Sequence, residues 1–187
     1  MKKQFFCLLA FLIVCPNVSK ATPVQWTIGE GGNDHWYEAI CVPGGISWTD
    51  ARDSAPSILP GGYLASITSE EENRFVLSMI GDDKYWSDGE RGPWLGGTDE
   101  ETEGIWQWLS GEPWSYSSWM PGQPDDARGE EDYLHFHKYL GDASTWNDLS
   151  NSGTPGLAPS GYIVEVPEPA TLLLLGLGGL MMRKRRA

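Results

Sequence analysis

The sequence predicts a single domain of mixed α and β structure, in the α+β class. Two short segments carry helix caps, and several short strand-like segments lie before, between and after them. A long stretch rich in glycine, tryptophan and acidic residues follows the second helix without helical periodicity. Long loops of this kind usually carry function. We therefore expect the functional residues to lie in the second half of the chain.

Both predicted helices begin at a serine cap. Ser47 precedes the first, which we expect to stop close to Pro56. Ser69 precedes the second, with Glu72 as its reciprocal capping partner and an apolar face on residues 75–80. The predicted strands are residues 35–42, 63–67, 94–97, 106–108, 133–139 and 162–165.

The first 21 residues have the composition of a secretory signal peptide. Two lysines precede an apolar run from Phe5 to Cys15, and Ser19-Lys20-Ala21 is a small-x-small site of the kind that signal peptidase cleaves. A buried core helix is the alternative. Lipidation at Cys15 is a weaker one, because Val14 stands where a small residue is expected. We expect residues 1–21 to be removed on export.

The last 21 residues, 167–187, contain three parts in order. Pro167-Glu168-Pro169 is followed by thirteen apolar residues and by Arg183-Lys184-Arg185-Arg186. This order resembles the PEP-CTERM sorting signal of Gram-negative bacteria. The resemblance implies an exosortase-type processing enzyme, transient membrane insertion of the apolar segment, and delivery to the cell surface, outer membrane or extracellular matrix. A plain C-terminal membrane anchor is the alternative, and it also implies export.

The remaining part, residues 22–166, is strongly acidic. It has 6 lysines and arginines against 25 aspartates and glutamates, which gives a net charge of −19. Nucleic acid and anionic lipid are therefore poor partners, whereas cations are good ones. Its one cysteine, Cys41, allows no internal disulfide. We expect Cys41 to be a small buried residue of the first strand, with a free reactive thiol as the alternative.

Side chains that offer oxygen atoms are concentrated between Gly122 and Asp148. The candidate ligands among them are Gln123, Asp125, Asp126, Glu131, Asp132, Asn147 and Asp148. Carboxylate and amide oxygens are the ligands that Ca²⁺ prefers. The sequence therefore predicts a calcium site built from segments that are separated along the chain.

The order of residues from His35 to Glu165 resembles a C-type lectin-like domain. The matching pieces are Trp48 with Ala51, residues 61–67, the glutamate-rich second helix, residues 94–97, residues 103–108, Trp119 with residues 122–125, Glu131-Asp132, residues 146–148 and residues 162–165. The resemblance implies a double-loop α+β fold. Its parts would be two helices, two small antiparallel sheets, paired N- and C-terminal strands, and a long calcium-binding loop.

The resemblance also implies one or two bound calcium ions. The primary, sugar-binding ion would be held by Gln123, Asp125, Glu131, Asn147 and Asp148, which would also contact the sugar. An auxiliary ion would be held by Asp99, Glu103, Asp126 and Asp132, with Glu131 shared. Five side chains leave a calcium ion short of its usual 6 to 8 oxygens, so two neighbouring sugar hydroxyls can complete the primary site.

The triplet Gln123-Pro124-Asp125 accompanies galactose-type sugars in this family, and the family implies a cis peptide before Pro124. An ordinary trans turn is the alternative. The loop that follows, residues 126–130, lacks the tryptophan and glycine-rich spacer that galactose binders use for stacking. We expect a galactose-type preference, with mannose-type binding as the alternative.

The chain departs from the family in its disulfides. The family's bridges would require cysteines near Ala55, at Tyr133 and at Val164, and none is present. A disulfide typically contributes about 2 to 4 kcal/mol. Packing and calcium must therefore supply what these bridges contribute in the family.

The expected function is a calcium-dependent carbohydrate-binding module, and we expect no enzymatic activity. Carboxylate pairs hydrolyse glycosides, but the acids here are too many and too mixed with amides to leave one isolated proton donor. Neither a nucleophile elbow nor a zinc-protease helix is present. The alternative function is a structural or protein-binding matrix or adhesion protein, in which calcium only stiffens the loop.

Two further groups of residues have competing interpretations. His135 and His137 could hold a transition metal, but we favour exposed positions on a strand whose other face carries Leu134 and Phe136. Most tryptophans are expected to fill the core and pin the loops. Trp114 and Trp119 are the two that we retain as candidate sugar contacts.

Overall fold

The computed structural model describes residues 19–20, 22–153 and 158–167. These ranges contain two α-helices, α1 (Trp48–Ile58) and α2 (Glu70–Ser78). The strands in the same ranges are β1 (Ser19–Lys20), β2 (Val24–Gln25), β3 (Trp36–Cys41), β4 (Tyr63–Leu64), β5 (Arg91–Thr98), β6 (Gln107–Trp108), β7 (Tyr133–Tyr139), β8 (Asp142–Leu149) and β9 (Gly161–Val166). Both helices of the described chain are too short to cross a membrane. The apolar segment 170–182 and nearly all of the predicted signal peptide lie outside the described residues.

The strands form one connected sheet in the order β1-β3-β9-β5-β7-β8, with β2 beside β3, β4 beside β9 and β6 beside β5. Strands β3 and β9 pair antiparallel from Trp36 opposite Val166 to Cys41 opposite Gly161, so the predicted pairing of the two chain ends is confirmed. The two antiparallel parts of the sheet meet through one parallel pair, Trp94 with Tyr162. The α+β class is confirmed.

Helix α1 begins where the sequence predicts it and ends later. The Ser47 hydroxyl accepts a hydrogen bond from the Asp50 N–H at 3.1 Å. The helix continues through Pro56 and ends two residues later at Ile58, so the end lies close to the predicted position although the proline itself does not stop the helix. Pro56 has no N–H to donate to the carbonyl of Arg52, so the helix passes the proline with the loss of one hydrogen bond, and burial of Ala55 favours continuation.

Helix α2 is capped by Ser69, whose hydroxyl accepts from the Glu72 N–H at 3.1 Å. Val76 and Ile80 are buried in the core, as the apolar face predicts. The Glu72 carboxylate reaches past the cap, because its Oε2 accepts from the N–H of Thr68 at 2.6 Å and from the Thr68 hydroxyl at 2.8 Å. The predicted reciprocal bond to the cap is therefore replaced by bonds one residue earlier.

Apolar packing fills the places where the family has disulfides. Ala55 and Val164 are fully buried in one cluster, together with Trp48. Tyr133 packs its ring against that of Trp48, with centroids 4.5 Å apart. Cys41 is buried and unbridged, as expected, and burial raises the pKa of its thiol.

Strands β7 and β8 form an antiparallel hairpin that directly follows the long loop region. Strand β7 covers the predicted range, whereas β8 has no counterpart among the predicted strands. The turn between them has positive φ at Leu140 and Gly141, 50° and 88°. Such turns usually carry asparagine or aspartate at the first of these positions. Leu140 stands there instead, so the sequence did not indicate a hairpin turn.

Candidate metal-binding site

Three carboxylates converge at each of two places in the described residues. In each set, one oxygen atom from every side chain lies within 4.8 Å of the other two. The first set is Asp125, Glu131 and Asp148, and the second is Asp99, Glu103 and Asp132. Six of the nine predicted ligands are thus brought together in two triplets. Like charges this close repel one another unless a cation or protons intervene.

The first triplet is organised around Asp148, which lies on β8 and is fully buried. Its Oδ2 accepts hydrogen bonds from the backbone N–H groups of Asp125 at 3.0 Å and Asp126 at 2.8 Å. These bonds fasten the loop to the strand. The peptide bond between Gln123 and Pro124 is cis, as the resemblance implies. Gln123 and Asn147, the two amide ligands of the predicted primary site, lie two residues before Asp125 and one residue before Asp148.

Four of the nine predicted ligands have a buried oxygen atom without a hydrogen-bond partner in the described structure. These atoms are Asp99 Oδ1, Gln123 Oε1, Asn147 Oδ1 and Asp148 Oδ1. Leaving such an atom unpaired costs about 1–3 kcal/mol. A hard cation is the partner that carboxylate and amide oxygens can share. The side chains present therefore fit a calcium ion.

The electrostatics of the two triplets lead to the same conclusion. Burial, followed by the charges of Asp148 and Asp125, raises the pKa of Glu131 to about 7. Burial also raises the pKa values of Asp99, Asp132 and Asp148 above their usual range. Each of these carboxyl groups is harder to ionise than in water, and a divalent cation removes that penalty.

The second triplet joins the end of β5 to the start of β7. Asp99 is buried, and its Oδ2 accepts from the Gly104 N–H at 2.9 Å. The Asp99 N–H donates to the carbonyl of Asp132 at 3.3 Å. Asp126 and Glu131, which the resemblance also assigns to the auxiliary ion, are not members of this triplet. Instead, the Glu131 N–H donates to Asp126 Oδ1 at 3.2 Å within the loop.

His135 is buried and not exposed, which corrects the expectation for this residue. It lies opposite Asn147 in the β7–β8 pairing, and its Nε2 is 3.4 Å from the Asn147 Nδ2. Burial lowers the pKa of His135 to about 3, so the ring is neutral. The carboxylate and imidazole groups of the described residues that could share a metal include neither His135 nor His137. The sequence did not indicate the burial of His135, because strand β8, which pairs with β7 at this residue, was not predicted.

Trp114 and Trp119 belong to an aromatic cluster beneath the loop. Trp114 stacks on Trp108 with ring centroids 4.4 Å apart, and Trp119 packs edge-on against Trp106 at 4.8 Å. Both are half-buried. Next to Trp119, the Met120 N–H donates to the carbonyl of Trp146 at 3.0 Å. These contacts confirm loop pinning and hold the segment that leads into Gln123.

Comparison of the chain with known proteins shows the family to which it is similar. The model of the Lectin C-type domain matches residues 45–153, and the PEP-CTERM protein-sorting motif matches residues 165–186. A perlucin-like protein of Mytilus galloprovincialis is 34% identical over 151 residues, which cover 76% of this chain and 86% of that protein.

Two further similar proteins are a lectin whose name states a sugar specificity and a lectin with a solved structure. The galactose-specific lectin nattectin of Thalassophryne nattereri is 38% identical over 82 residues, or 44% of this chain and 48% of that protein. The chain thus matches about half of nattectin's length. The crystal structure of the C-type lectin CEL-I from Cucumaria echinata shares the fold with a TM-score of 0.58 and 26% identity, covering 72% of this chain and 91% of that one.

Proposed function

We propose that this chain, which belongs to the C-type lectin domain family, is a calcium-dependent carbohydrate-binding protein of the bacterial surface or exopolysaccharide matrix. Family membership supports a binding protein rather than an enzyme. The observation that carries the calcium dependence is the set of buried, unpartnered oxygens on four of the nine proposed ligands. The other buried side-chain atoms without a partner in the described residues are nitrogens of tryptophan and histidine, so every unpartnered oxygen among them belongs to a proposed ligand.

The proposed primary site consists of Gln123, Asp125, Glu131, Asn147 and Asp148. The proposed auxiliary site consists of Asp99, Glu103, Asp126 and Asp132, with Glu131 shared. Bound calcium would supply open coordination positions that two neighbouring sugar hydroxyls can occupy. Asp125 and Glu131 would accept hydrogen bonds from those hydroxyls, and the amide of Gln123 would donate to them. Asp148 would keep its role of fastening the loop.

A galactose-type preference is supported by the triplet Gln123-Pro124-Asp125 and by similarity to a protein described as a galactose-specific lectin. The test is calorimetric titration of the purified full-length chain with galactose and with mannose, in calcium and in chelator. We expect galactose to bind only in calcium, and more tightly than mannose. Binding of mannose alone would overturn the galactose preference, and binding of either sugar in chelator would overturn calcium dependence.

A competition experiment with free galactose separates the lectin from the alternative, a matrix or adhesion protein that uses calcium only to stiffen its loop. A partner that is displaced by free galactose would support the lectin. A partner that stays bound at saturating galactose would support the alternative. The loop of residues 126–130 has no aromatic side chain on which a sugar ring could stack.

The proposed organisation is a signal peptide at residues 1–21, a lectin domain at residues 22–166 and a sorting segment at residues 167–187. The PEP-CTERM match supports exosortase processing and export to the Gram-negative envelope. In the full chain Ser19–Lys20 pairs with Ile40 and Cys41, and cleavage after Ala21 would remove this strand. Intact-mass analysis of the protein from an exosortase-bearing host should show loss of both ends, and an uncleaved mass would contradict the proposal.

A further inference from the structure

Arg128 differs from the other basic side chains of residues 22–166. Of the other five, four form ion pairs and one lies over an aromatic ring: Arg52 with Asp53, Arg74 with Glu70, Lys84 with Asp82, Arg91 with Asp88, and Lys138 above Trp86. Arg128 is exposed, and among the described residues its guanidinium has no ion pair, hydrogen bond or aromatic contact. In a domain with a net charge of −19, a free arginine is unexpected.

The backbone holds Arg128 in an unfavourable conformation. Its φ is 71°, in the left-handed region, where glycine would be accommodated without cost. The turn around it is closed by hydrogen bonds, since the Gly129 N–H donates to the Asp126 carbonyl at 2.8 Å and the Ala127 N–H reaches Glu131 Oε2 at 3.4 Å. Residues kept in such conformations concentrate at ligand-binding sites. The structure thus maintains an arginine at the tip of this turn despite the strain.

The turn lies beside the proposed primary site. Asp125 is three residues before Arg128 and Glu131 is three residues after it. Consecutive Cα atoms are about 3.8 Å apart, so the Arg128 Cα is within about 11 Å of both ligands' Cα atoms. Arg128 is also the only basic side chain of residues 126–130. The backbone of Arg128 therefore lies beside a saccharide held between Asp125 and Glu131.

Building on the proposed function, we propose that Arg128 binds an anionic substituent, a carboxylate or a sulfate, on the saccharide held at the primary site. The planar guanidinium offers paired donors that match the oxygens of either group. The rest of the domain repels acidic polymers, so an acidic saccharide gains affinity only where its anion meets Arg128. The ligand class is then an acidic polysaccharide, and Arg128 selects saccharides whose anionic group lies where the guanidinium can bind it.

The test compares galactose, galacturonic acid and galactose 6-sulfate as ligands of the full-length chain in saturating calcium. The variants are Arg128→Gln and, as a matched control, Arg74→Gln, which removes an equal charge from the exposed side of α2. We expect the wild type to bind at least one anionic sugar about threefold to tenfold more tightly than galactose, as a charge-assisted contact at an exposed site allows. Arg128→Gln should abolish this preference and leave galactose binding unchanged, whereas Arg74→Gln should retain it.

The two acidic sugars identify the source of the charge, because a preference confined to galacturonic acid assigns a carboxylate and one confined to the sulfated sugar assigns a sulfate. Equal or weaker binding of both acidic sugars by the wild type would overturn the role of Arg128 while leaving the lectin intact. An equal loss of neutral and acidic binding in Arg128→Gln would also overturn it. Failure of every sugar to bind in calcium would instead overturn the proposed function, and the role of Arg128 with it.

Discussion

Two regions of this domain that contain buried carboxylates treat them in opposite ways. Below the core, Glu72 and Glu165 are both almost completely buried, and the protein itself satisfies their oxygens. The Tyr37 hydroxyl lies between them, 2.5 Å from Glu72 Oε1 and 3.3 Å from Glu165 Oε1. The Ser66 N–H donates to Glu165 Oε2 at 2.8 Å, and the His35 Nδ1 is 2.5 Å from Glu165 Oε1. We call these residues the lower network.

In the loop region the buried carboxylates Asp99 and Asp148 each keep one oxygen without a partner. Both regions carry a carboxyl group whose burial raises its pKa to about 7, Glu165 below and Glu131 above. Burial alone therefore does not identify a binding site. The distinguishing feature is that the loop region leaves carboxylate oxygens without a hydrogen-bond partner, whereas the lower network pairs the oxygens of both its glutamates.

The largest expected effect is the loss of stability on breaking the lower network. Glu72→Ala removes the acceptor of the Thr68 N–H and the nearer acceptor of the Tyr37 hydroxyl, which keeps only the longer contact to Glu165 Oε1 at 3.3 Å. We expect the free energy of unfolding to fall by about 3 kcal/mol, in calcium and in chelator alike. Urea denaturation measures this change. As a control, Asp125→Asn on the exposed loop should change metal-free stability by less than about 0.5 kcal/mol. A Glu72→Ala loss that is much smaller in calcium than in chelator, relative to the wild type under the same condition, would contradict the distinction between the two regions.

The next effect, taken for each bound ion, is stabilisation of the whole domain by calcium. A ligand at 100 times its dissociation constant adds about 2.7 kcal/mol per site. For a domain of this size that corresponds to a rise of roughly 8 °C in the melting temperature. Thermal melts of the full-length chain in calcium and in chelator provide the measurement. Identical melting temperatures would show that packing alone replaces the missing disulfides.

Asp148→Asn should act on the loop alone. The substitution keeps an oxygen that can accept from the N–H groups of Asp125 and Asp126, but it removes the negative charge at the calcium site. We expect calcium affinity to fall at least tenfold, on the order of what supporting groups at metal sites contribute. Metal-free stability should be unchanged or slightly raised. Calcium calorimetry with the variant is the measurement, and wild-type affinity would remove Asp148 from the ligand set.

The smallest effect concerns pH. Glu131 must be ionised to bind calcium, so calcium affinity should fall as pH drops through about 7, by at most about tenfold per unit. In the metal-free protein the raised pKa of Glu131 makes folding more favourable at low pH, because the folded state holds a proton that the unfolded state releases. Metal-free stability should thus decline as pH rises from about 4.5 to about 7. Calorimetry at pH 5.5, 6.5 and 7.5 tests this, and a pH-independent affinity would contradict it.

Local signals in the sequence were sufficient for much of the fold. The serine caps at Ser47 and Ser69 and the range of β7 depend on neighbouring residues, and the structure agrees with them. The resemblance to the lectin family brought together residues that are far apart in the chain. Asp99 and Asp132 of one triplet, for example, are separated by 33 positions.

Features that depend on long-range contacts could not be predicted. Glu72 and Glu165 share Tyr37 across the core, and nothing near either glutamate in sequence indicates this bond. The burial of His135 depends on its pairing with β8, whose polar start and Leu140-Gly141 turn gave no strand signal. Local patterns reveal caps and faces, whereas the satisfaction of buried polar groups becomes visible only in three dimensions.

The most direct test of the central claim is a count of the calcium ions that the full-length chain binds. If the unpartnered oxygens of the two triplets are metal ligands, calorimetric titration will give two ions per chain. Asp148→Asn and Asp99→Asn will then each reduce that count to one. A chain that binds no calcium, or that retains both ions in both variants, would contradict the account.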